Sequence, residues 1–221
     1  EAKLKVKDSD VTITYSLKAG QPSLEIGIQA HWVEIGTKEK GAPCLRMRFP
    51  LALTQARGLY EVPFGSIERD LNHGEEVPAL RWVDVTGKPA NARPAASKGA
   101  AAGLALANDS KYGYSLDGSL LRTTLIRSSY EPDLIPEVGN HTIRFAAMPH
   151  GARPATADLI RMGAAFNHPL QVVATDVHKG KLKPAALGLT MVANNVILTS
   201  LKKAEGENTF VIHLQETAGK A

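Results

Sequence analysis

Three stretches near the start of the chain alternate regularly between apolar and polar side chains. Residues 11–17, 24–32 and 45–49 each place their apolar residues at every second position. Successive side chains of a β-strand point to opposite faces, so a period of two predicts strands that are buried on one face only. Three such strands in close succession predict an antiparallel sheet with one solvated face.

Strand patterns continue along most of the chain. Further strands are predicted at 59–62, 80–85, 120–126, 141–148, 170–175, 186–192, 196–201 and 209–215. In the last of them, Phe210, Ile212 and Leu214 are expected to face inward. The Asp117-Gly118 pair predicts a hairpin turn, because both residue types readily adopt positive φ angles.

A single helix is predicted at 156–166, where Leu159, Met162 and Phe166 recur at helical spacing and Thr156 can cap the first turn. About a dozen strands with one short helix are too many for one open sheet. The predicted fold class is therefore all-β, a large antiparallel assembly of two packed sheets.

Residues 87–103 are rich in alanine, glycine and proline and contain no large apolar residue. This composition predicts a mobile surface loop. The strand pattern resumes directly after it, so we interpret the loop as an insertion within one domain that spans residues 1–221.

Composition argues against several partners. The net charge is only +4, the basic residues are dispersed, and aromatic residues make up 5% of the chain, so a nucleic-acid surface is not indicated. No apolar run is long enough to cross a membrane. The lone Cys44 is expected to be a small core residue, which leaves the compartment open with a slight preference for a reducing one such as the cytoplasm.

The polar residues do not form a recognisable catalytic or metal motif. No two of the seven histidines stand three or four apart on a helix, so no local metal site is predicted. His141 and His150 are expected to make structural hydrogen bonds at the two ends of one strand.

The candidate carboxylates are Glu61, Glu68, Asp84 and Asp133. Each is interpreted as a turn former or a salt-bridge partner, for instance of Arg81 or Arg127, and no catalytic residue is assigned. Trp32 and Trp82 are interpreted as core residues in preference to sugar-stacking platforms.

Five segments, in this order, resemble a known family. They are YEVPFGSIERD at 60–70, ALRWVDVTG at 79–87, NDSKYG followed by LLRTTLIRS at 108–128, VGNHTIRFAAMPHG at 138–151, and AAFNHPL at 164–170. Together they resemble the C-terminal β-domain of glycoside hydrolase family 38 α-mannosidases. The resemblance implies a β-supersandwich of the kind found in galactose mutarotase-like domains.

The resemblance also implies what lies outside this chain. Enzymes of this family remove α-linked mannose with retention, using a carboxylate nucleophile and zinc that belong to an N-terminal barrel and an adjoining helical bundle. No segment here resembles that barrel, and the chain begins without methionine, so an upstream region is expected. The implied partners are that barrel and bundle and a mannose-containing glycan, with zinc in the full-length enzyme's catalytic domain.

The loop at 108–114 is the predicted point of sugar contact. By resemblance to the family, Asp109, Lys111 and Tyr112 are its expected substrate-binding residues, since they offer an acceptor, donors and an aromatic face. The alternative interpretation is an Asx-type turn with a packed tyrosine.

The leading functional hypothesis is a non-catalytic domain that braces the catalytic barrel of an α-mannosidase. A free-standing carbohydrate-binding module is the alternative. An aldose-epimerase-like enzyme is the third hypothesis, and it would require His141 or His150 to face a carboxylate in a cleft.

Overall fold

The computed structural model describes residues 1–70, 73–90, 100–181 and 188–219. Its elements, in chain order, are β1 Ala2–Val6, β2 Ser9–Leu17, β3 Leu24–Trp32, β4 Cys44–Pro50, β5 Leu53–Val62, β6 Gly65–Arg69, β7 Val77–Pro78, β8 Trp82–Pro89, β9 Ala102–Asn108, β10 Gly113–Asp117, β11 Leu120–Arg127, β12 Gly139–His150, α1 Thr156–Asn167, β13 Val196–Lys203 and β14 Phe210–Glu216. No helix in these ranges is long and apolar enough to span a membrane.

The strands form three antiparallel sheets. The largest has eight strands in the order β1-β2-β3-β12-β9-β8-β5-β6, the second has four in the order β4-β11-β10-β7, and β13 pairs with β14. The alternating stretches near the start of the chain are strands β2, β3 and β4, as predicted, and β3 has the predicted bounds. The all-β fold class is confirmed.

The eight-stranded and four-stranded sheets share one hydrophobic core. The larger sheet contributes Ile28 and Phe145, and the smaller sheet contributes Leu116 and Leu121, all fully buried. Phe49 of β4 meets Phe145 of β12 edge-to-face, with ring centroids 6.4 Å apart. The two sheets therefore pack face to face, because side chains from both inner faces interdigitate.

Helix α1 covers part of the outer face of the larger sheet. Leu159 and Ile160 pack against Trp82 of β8 and Ala105 of β9. A Cβ on Gly163 would lie 2.9 Å from the Trp82 ring, so glycine at this position permits the close approach of helix and strand. Both tryptophans are buried, as predicted.

The predicted hairpin turn is confirmed. Asp117 of β10 pairs with Leu120 of β11, which leaves a two-residue turn, and Gly118 has a φ of 60°. Tight turns between antiparallel strands need such positive φ angles, and glycine adopts them without steric cost.

Some sequence-based predictions about helix and loop are wrong or lie outside the described residues. The residue that caps α1 is Ala155, and no side chain caps the helix, so the prediction for Thr156 is wrong. Cys44 is exposed instead of buried, because it begins β4 on the solvent side. The loop predicted at 87–103 is wrong at both ends, because residues 87–89 belong to β8 and residues 102–103 to β9, and residues 91–99 lie outside the described residues.

The predictions are least accurate in the last third of the chain. Residues 170–175 and 188–192 form no strand, and no described residue pairs with them; residues 186–187 lie outside the described ranges. Strands β13 and β14 exist where they were predicted, but Phe210, Ile212 and Leu214 are exposed. A strand pattern is realised only where a partner strand is present, and a face is buried only where something packs on it.

Candidate functional site

The predicted sugar-binding loop is organised by Asn108, the last residue of β9. Its fully buried side chain donates from Nδ2 to the Leu80 carbonyl at 2.7 Å and to the Tyr114 hydroxyl at 2.8 Å. Its Oδ1 accepts from the Lys111 amide at 2.8 Å. The bond to Lys111 closes an Asx-type turn, which agrees with the alternative interpretation of the loop.

The backbone of Asn108 connects the same loop to two other elements. Its amide donates to the Arg81 carbonyl at 2.9 Å, and its carbonyl accepts from Asn167 Nδ2, also at 2.9 Å. Asn167 is the last residue of α1. The loop is thus held between the start of β8 and the end of the helix.

Asp109 is held by the neighbouring strand β12. Its Oδ1 accepts from the Arg144 amide and its Oδ2 accepts from Arg144 Nε, each at 3.0 Å. Ser110 Oγ donates to the same carboxylate at 3.1 Å. The Arg144 guanidinium also lies over the Phe166 ring, 5.0 Å from its centroid. Asp109 is therefore fixed in position, and part of its acceptor capacity is already used.

Lys111 and Tyr112 are the loop residues whose side chains are least constrained by other elements. Among the described residues, none forms an ion pair with Lys111, and Tyr112 is 52% exposed. Tyr114 is the packed tyrosine that the alternative interpretation anticipated, and burial raises the pKa of its hydroxyl far above the usual range. The loop thus combines a rigid Asx turn with a half-buried lysine and an exposed aromatic ring.

Tyr112 borders a cleft of about 530 Å³. Its walls come from the β5–β6 turn, the residues just before β8, helix α1 and its end, and strands β13 and β14; they include Phe64, Leu80, Ile160, His168, Ile197, Thr199 and Gln215. Phe64, at the tip of the β5–β6 turn, is exposed to solvent. The cleft therefore offers two exposed aromatic rings together with polar groups.

An ion pair also lines this cleft. The buried Glu61 accepts from the Arg81 amide at 2.6 Å, and it accepts from the Arg81 guanidinium through Nε at 3.2 Å and through Nη2 at 2.5 Å. Arginine clamps a carboxylate in this two-point manner strongly and with fixed geometry. Glu61 is thus a salt-bridge partner, as predicted.

Asp84, the third residue of β8, belongs to a second buried network. Its carboxylate accepts from His150 Nε2 at 2.6 Å, from Arg153 Nε at 2.9 Å and from the Thr86 hydroxyl at 2.8 Å. The predicted arginine partners, Arg81 and Arg127, are wrong for this residue, because Arg153 reaches it from the segment after β12.

The remaining carboxylates and histidine also have local partners. Glu68 pairs with Arg57 at 2.9 Å and with Arg153 at 2.7 Å, and these two arginines hold the pKa of Glu68 below its usual range. Asp133 accepts from the Ile135 amide at 3.0 Å and is thus a turn former. His141 Nε2 lies 2.7 Å from the Glu137 carbonyl, so both strand-end histidines make structural hydrogen bonds as predicted.

The contact between His150 and Asp84 meets the requirement of the aldose-epimerase hypothesis only in part. The two groups bond to each other, and Asp84 is fully buried with Arg153 also attached. An acid and a base that act on a sugar must both face it, and these two do not converge on an open cleft. Among the described residues, no group of three or more His, Cys, Asp or Glu side chains could hold a metal ion.

Sequence reasoning anticipated the Asx-type turn but missed three features of the loop region. The first is that Asn108 is buried and also donates to Leu80 and Tyr114. The Arg144–Asp109 contact spans 35 residues and has no local signal. The same is true of Phe64, which approaches Tyr112 only through the pairing of the sheet.

Two packed antiparallel sheets with a helix on the outer face are the architecture of a β-supersandwich domain. The fold alone identifies this class. The family described as "Glycosyl hydrolases family 38 C-terminal domain" matches residues 1–134. The chain belongs to this family of glycoside hydrolase C-terminal domains.

Relatives and solved structures agree with this assignment. Human alpha-mannosidase 2C1 is 28% identical over 213 residues, which are 92% of this chain and 19% of that protein. Alpha-mannosidase from Saccharomyces cerevisiae is 26% identical over 171 residues, 74% of this chain and 14% of that protein. The chain thus spans about one fifth or less of the length of these relatives.

A crystal structure of a family 38 glycosyl hydrolase from Enterococcus faecalis superimposes with a TM-score of 0.76 at 17% identity, over 96% of this chain and 24% of that one. An alpha-mannosidase structure from Enterococcus faecalis V583 superimposes with a TM-score of 0.74 at 17% identity, over 95% and 23% of the two chains. These two structures share the fold of this chain.

Proposed function

We propose that this chain is the non-catalytic C-terminal domain of a longer α-mannosidase, which hydrolyses α-mannosides with retention. The observation that carries the proposal is the family membership, together with relatives that are longer α-mannosidases. We use the term longer polypeptide for this chain joined to the catalytic region that would precede it. The role of the domain would be to brace that region and to contribute one loop to sugar binding.

The state of the carboxylates supports a non-catalytic role. A retaining glycosidase needs two carboxyl groups about 5 Å apart that are free to reach the scissile bond. Glu61, Glu68 and Asp84 are bonded to arginine or histidine, and Asp133 closes a turn. All four are thus already engaged in structural contacts.

Zinc would belong to the catalytic region. Hydrolytic zinc sites use several His, Asp or Cys ligands that converge on one point. The described residues of this chain do not provide such a set, and they do not fit a zinc ion. No step of the reaction is therefore assigned to zinc through this domain.

The loop at Asp109, Lys111 and Tyr112 is the proposed sugar contact. Lys111 would donate to sugar hydroxyls, and the exposed ring of Tyr112 would stack on the apolar face of a pyranose. Asp109, fixed by Arg144, would complete the set with its remaining lone pairs. The rigid turn around Asn108 supports this role, since a preorganised loop loses little entropy when it binds.

A free-standing carbohydrate-binding module is the second candidate. The exposure of Phe64 and Tyr112 beside one cleft favours it. Titration of the isolated chain with mannobiose separates the two candidates. Saturable binding that is lost in both Phe64→Ala and Tyr112→Ala would favour the module.

We expect Tyr112→Ala in the longer polypeptide to raise KM for an α-mannoside about ten-fold, which corresponds to roughly 1.4 kcal/mol of lost stacking. Tyr112→Phe keeps the ring and should stay within about two-fold of the parent. The matched control is Tyr15→Ala on β2, because Tyr15 is 49% exposed, close to the 52% of Tyr112. The measurement is steady-state hydrolysis, with the isolated chain assayed in parallel and expected to be inactive. Equal KM values for the two alanine variants would contradict the sugar contact.

A further inference from the structure

The two-stranded sheet of β13 and β14 presents an uncovered apolar face. The register places Leu198 opposite Leu214 and Leu201 opposite Ile212, with Phe210 in the same row of β14. We call these five residues the hairpin face. Their exposed fractions range from 38% to 72%. Directly opposed residues of two antiparallel strands lie on the same side of the sheet, so the five apolar side chains share one face, with Lys203 opposite Phe210 at its end.

The opposite face of this sheet is attached to the rest of the chain. Ile197 packs against the cluster that contains Trp82 and Leu159. Antiparallel sheets with one solvated face normally carry polar residues on that face. Here the middle of the row that faces solvent is apolar, and charged residues stand at its two ends, Lys203 opposite Phe210 and Glu216 opposite Val196. A two-stranded sheet is also only marginally stable without further packing. Both facts indicate that something else covers the hairpin face.

We propose that the hairpin face is the surface on which the catalytic region of the longer polypeptide docks. This inference rests on the proposed function, because it takes its partner from it. Matched relatives carry about four fifths of their length outside the segment that aligns with this chain. That large remaining part is attached covalently, so its effective concentration at the face exceeds that of any separate protein.

The neighbouring segment supports the same inference. Residues 170–175 have a strand-like sequence but pair with no described residue, and Leu170, Val172 and Val173 are exposed. Contiguous exposed apolar groups mark interaction sites in folded proteins. Apolar exposure is therefore high in the part of the chain that follows α1, where docking would bury it.

Hydrogen exchange of residues 196–216 tests the inference in the isolated chain and in the longer polypeptide. We expect these amides to exchange at least about ten-fold more slowly in the longer polypeptide, because docking suppresses local opening of the hairpin. Ile212→Lys should abolish the difference. His213→Lys, on the opposite face of the same strand, should preserve it. Leu214→Gln provides a second, milder disruption of the face.

Two results would overturn the inference. Equal exchange in both proteins would mean that the face stays open. Protection in the isolated chain that rises with protein concentration would mean that a second copy covers the face. The exchange measurement does not depend on hydrolysis, so failure of the docking surface can be distinguished from failure of the proposed function. Protection without α-mannoside turnover would refute the proposed function alone, and turnover without protection would refute the docking surface alone.

Discussion

Replacement of Asp84 by alanine is expected to lower the free energy of unfolding by roughly 3–5 kcal/mol, the usual cost of breaking a buried ion pair by removing one partner. The fully buried carboxylate accepts from His150, Arg153 and Thr86. Its loss would leave the His150 ring without its carboxylate partner and would remove one of the two carboxylates that pair with the Arg153 guanidinium.

The Asp84 network also ties distant parts of the chain together. Arg153 donates to Glu68 of β6 at 2.7 Å and to the Arg57 carbonyl of β5 at 3.1 Å, while His150 ends β12. A Cβ on Gly103 would lie 2.3 Å from the His150 ring, so glycine is needed there for the ring to reach Asp84. Loss of Asp84 should therefore loosen several strands and the connection to the helix.

Urea unfolding followed by tryptophan fluorescence measures this effect, because Trp82 begins the strand that carries Asp84. Asp10→Ala is the control, since the Lys5–Asp10 pair is exposed and such pairs contribute about 0–1 kcal/mol. Equal unfolding midpoints for the two variants would contradict a structural role for the buried network.

Asn108→Ala is the second large effect that we expect, with a loss of about 3 kcal/mol. Alanine would leave the Leu80 carbonyl, the Tyr114 hydroxyl and the Lys111 amide without the partner they now have. A buried polar group that loses its partner destabilises the folded state by most of its desolvation free energy, because water does not replace the lost bond.

The same unfolding measurement applies to Asn108, with Ser110→Ala as a control in the same loop. Ser110 is exposed, and among the described residues its side chain bonds only to its neighbour Asp109, so its removal should change stability by less than about 0.5 kcal/mol. Asn108→Asp keeps the acceptor for Lys111 but loses the two donated bonds, and it should be destabilised as well. A stability of Asn108→Ala equal to that of Ser110→Ala would show that the loop does not depend on this side chain.

The sheets could be predicted from the sequence because their signals are local. The alternation in β3 fixes both its bounds and its buried face, and Asp117-Gly118 fixes the hairpin between β10 and β11. Residues 170–175 show the limit of the same reasoning. Their sequence is strand-like, but a strand needs a hydrogen-bonded neighbour, and none of the described residues supplies one.

The candidate site could be predicted only in part. The segment NDSKYG identified the loop, because an Asx turn depends only on residues that are close in the sequence. The partners that hold it could not be predicted in this way, since Arg144 lies 35 residues from Asp109 and Asn167 lies 59 residues from Asn108. Arg153, which is 69 residues from Asp84, is a further case. Contacts of this kind depend on the sheet order, which periodicity alone does not determine.

The most direct test of the account is α-mannoside hydrolysis by the longer polypeptide with and without residues 1–221, in the presence of zinc. A domain that braces the catalytic region and lends it a sugar-binding loop should be required for turnover. We therefore expect the truncated protein to retain less than about one tenth of the kcat/KM, a loss of more than about 1.4 kcal/mol in transition-state stabilisation. Full activity of the truncated protein would contradict the account.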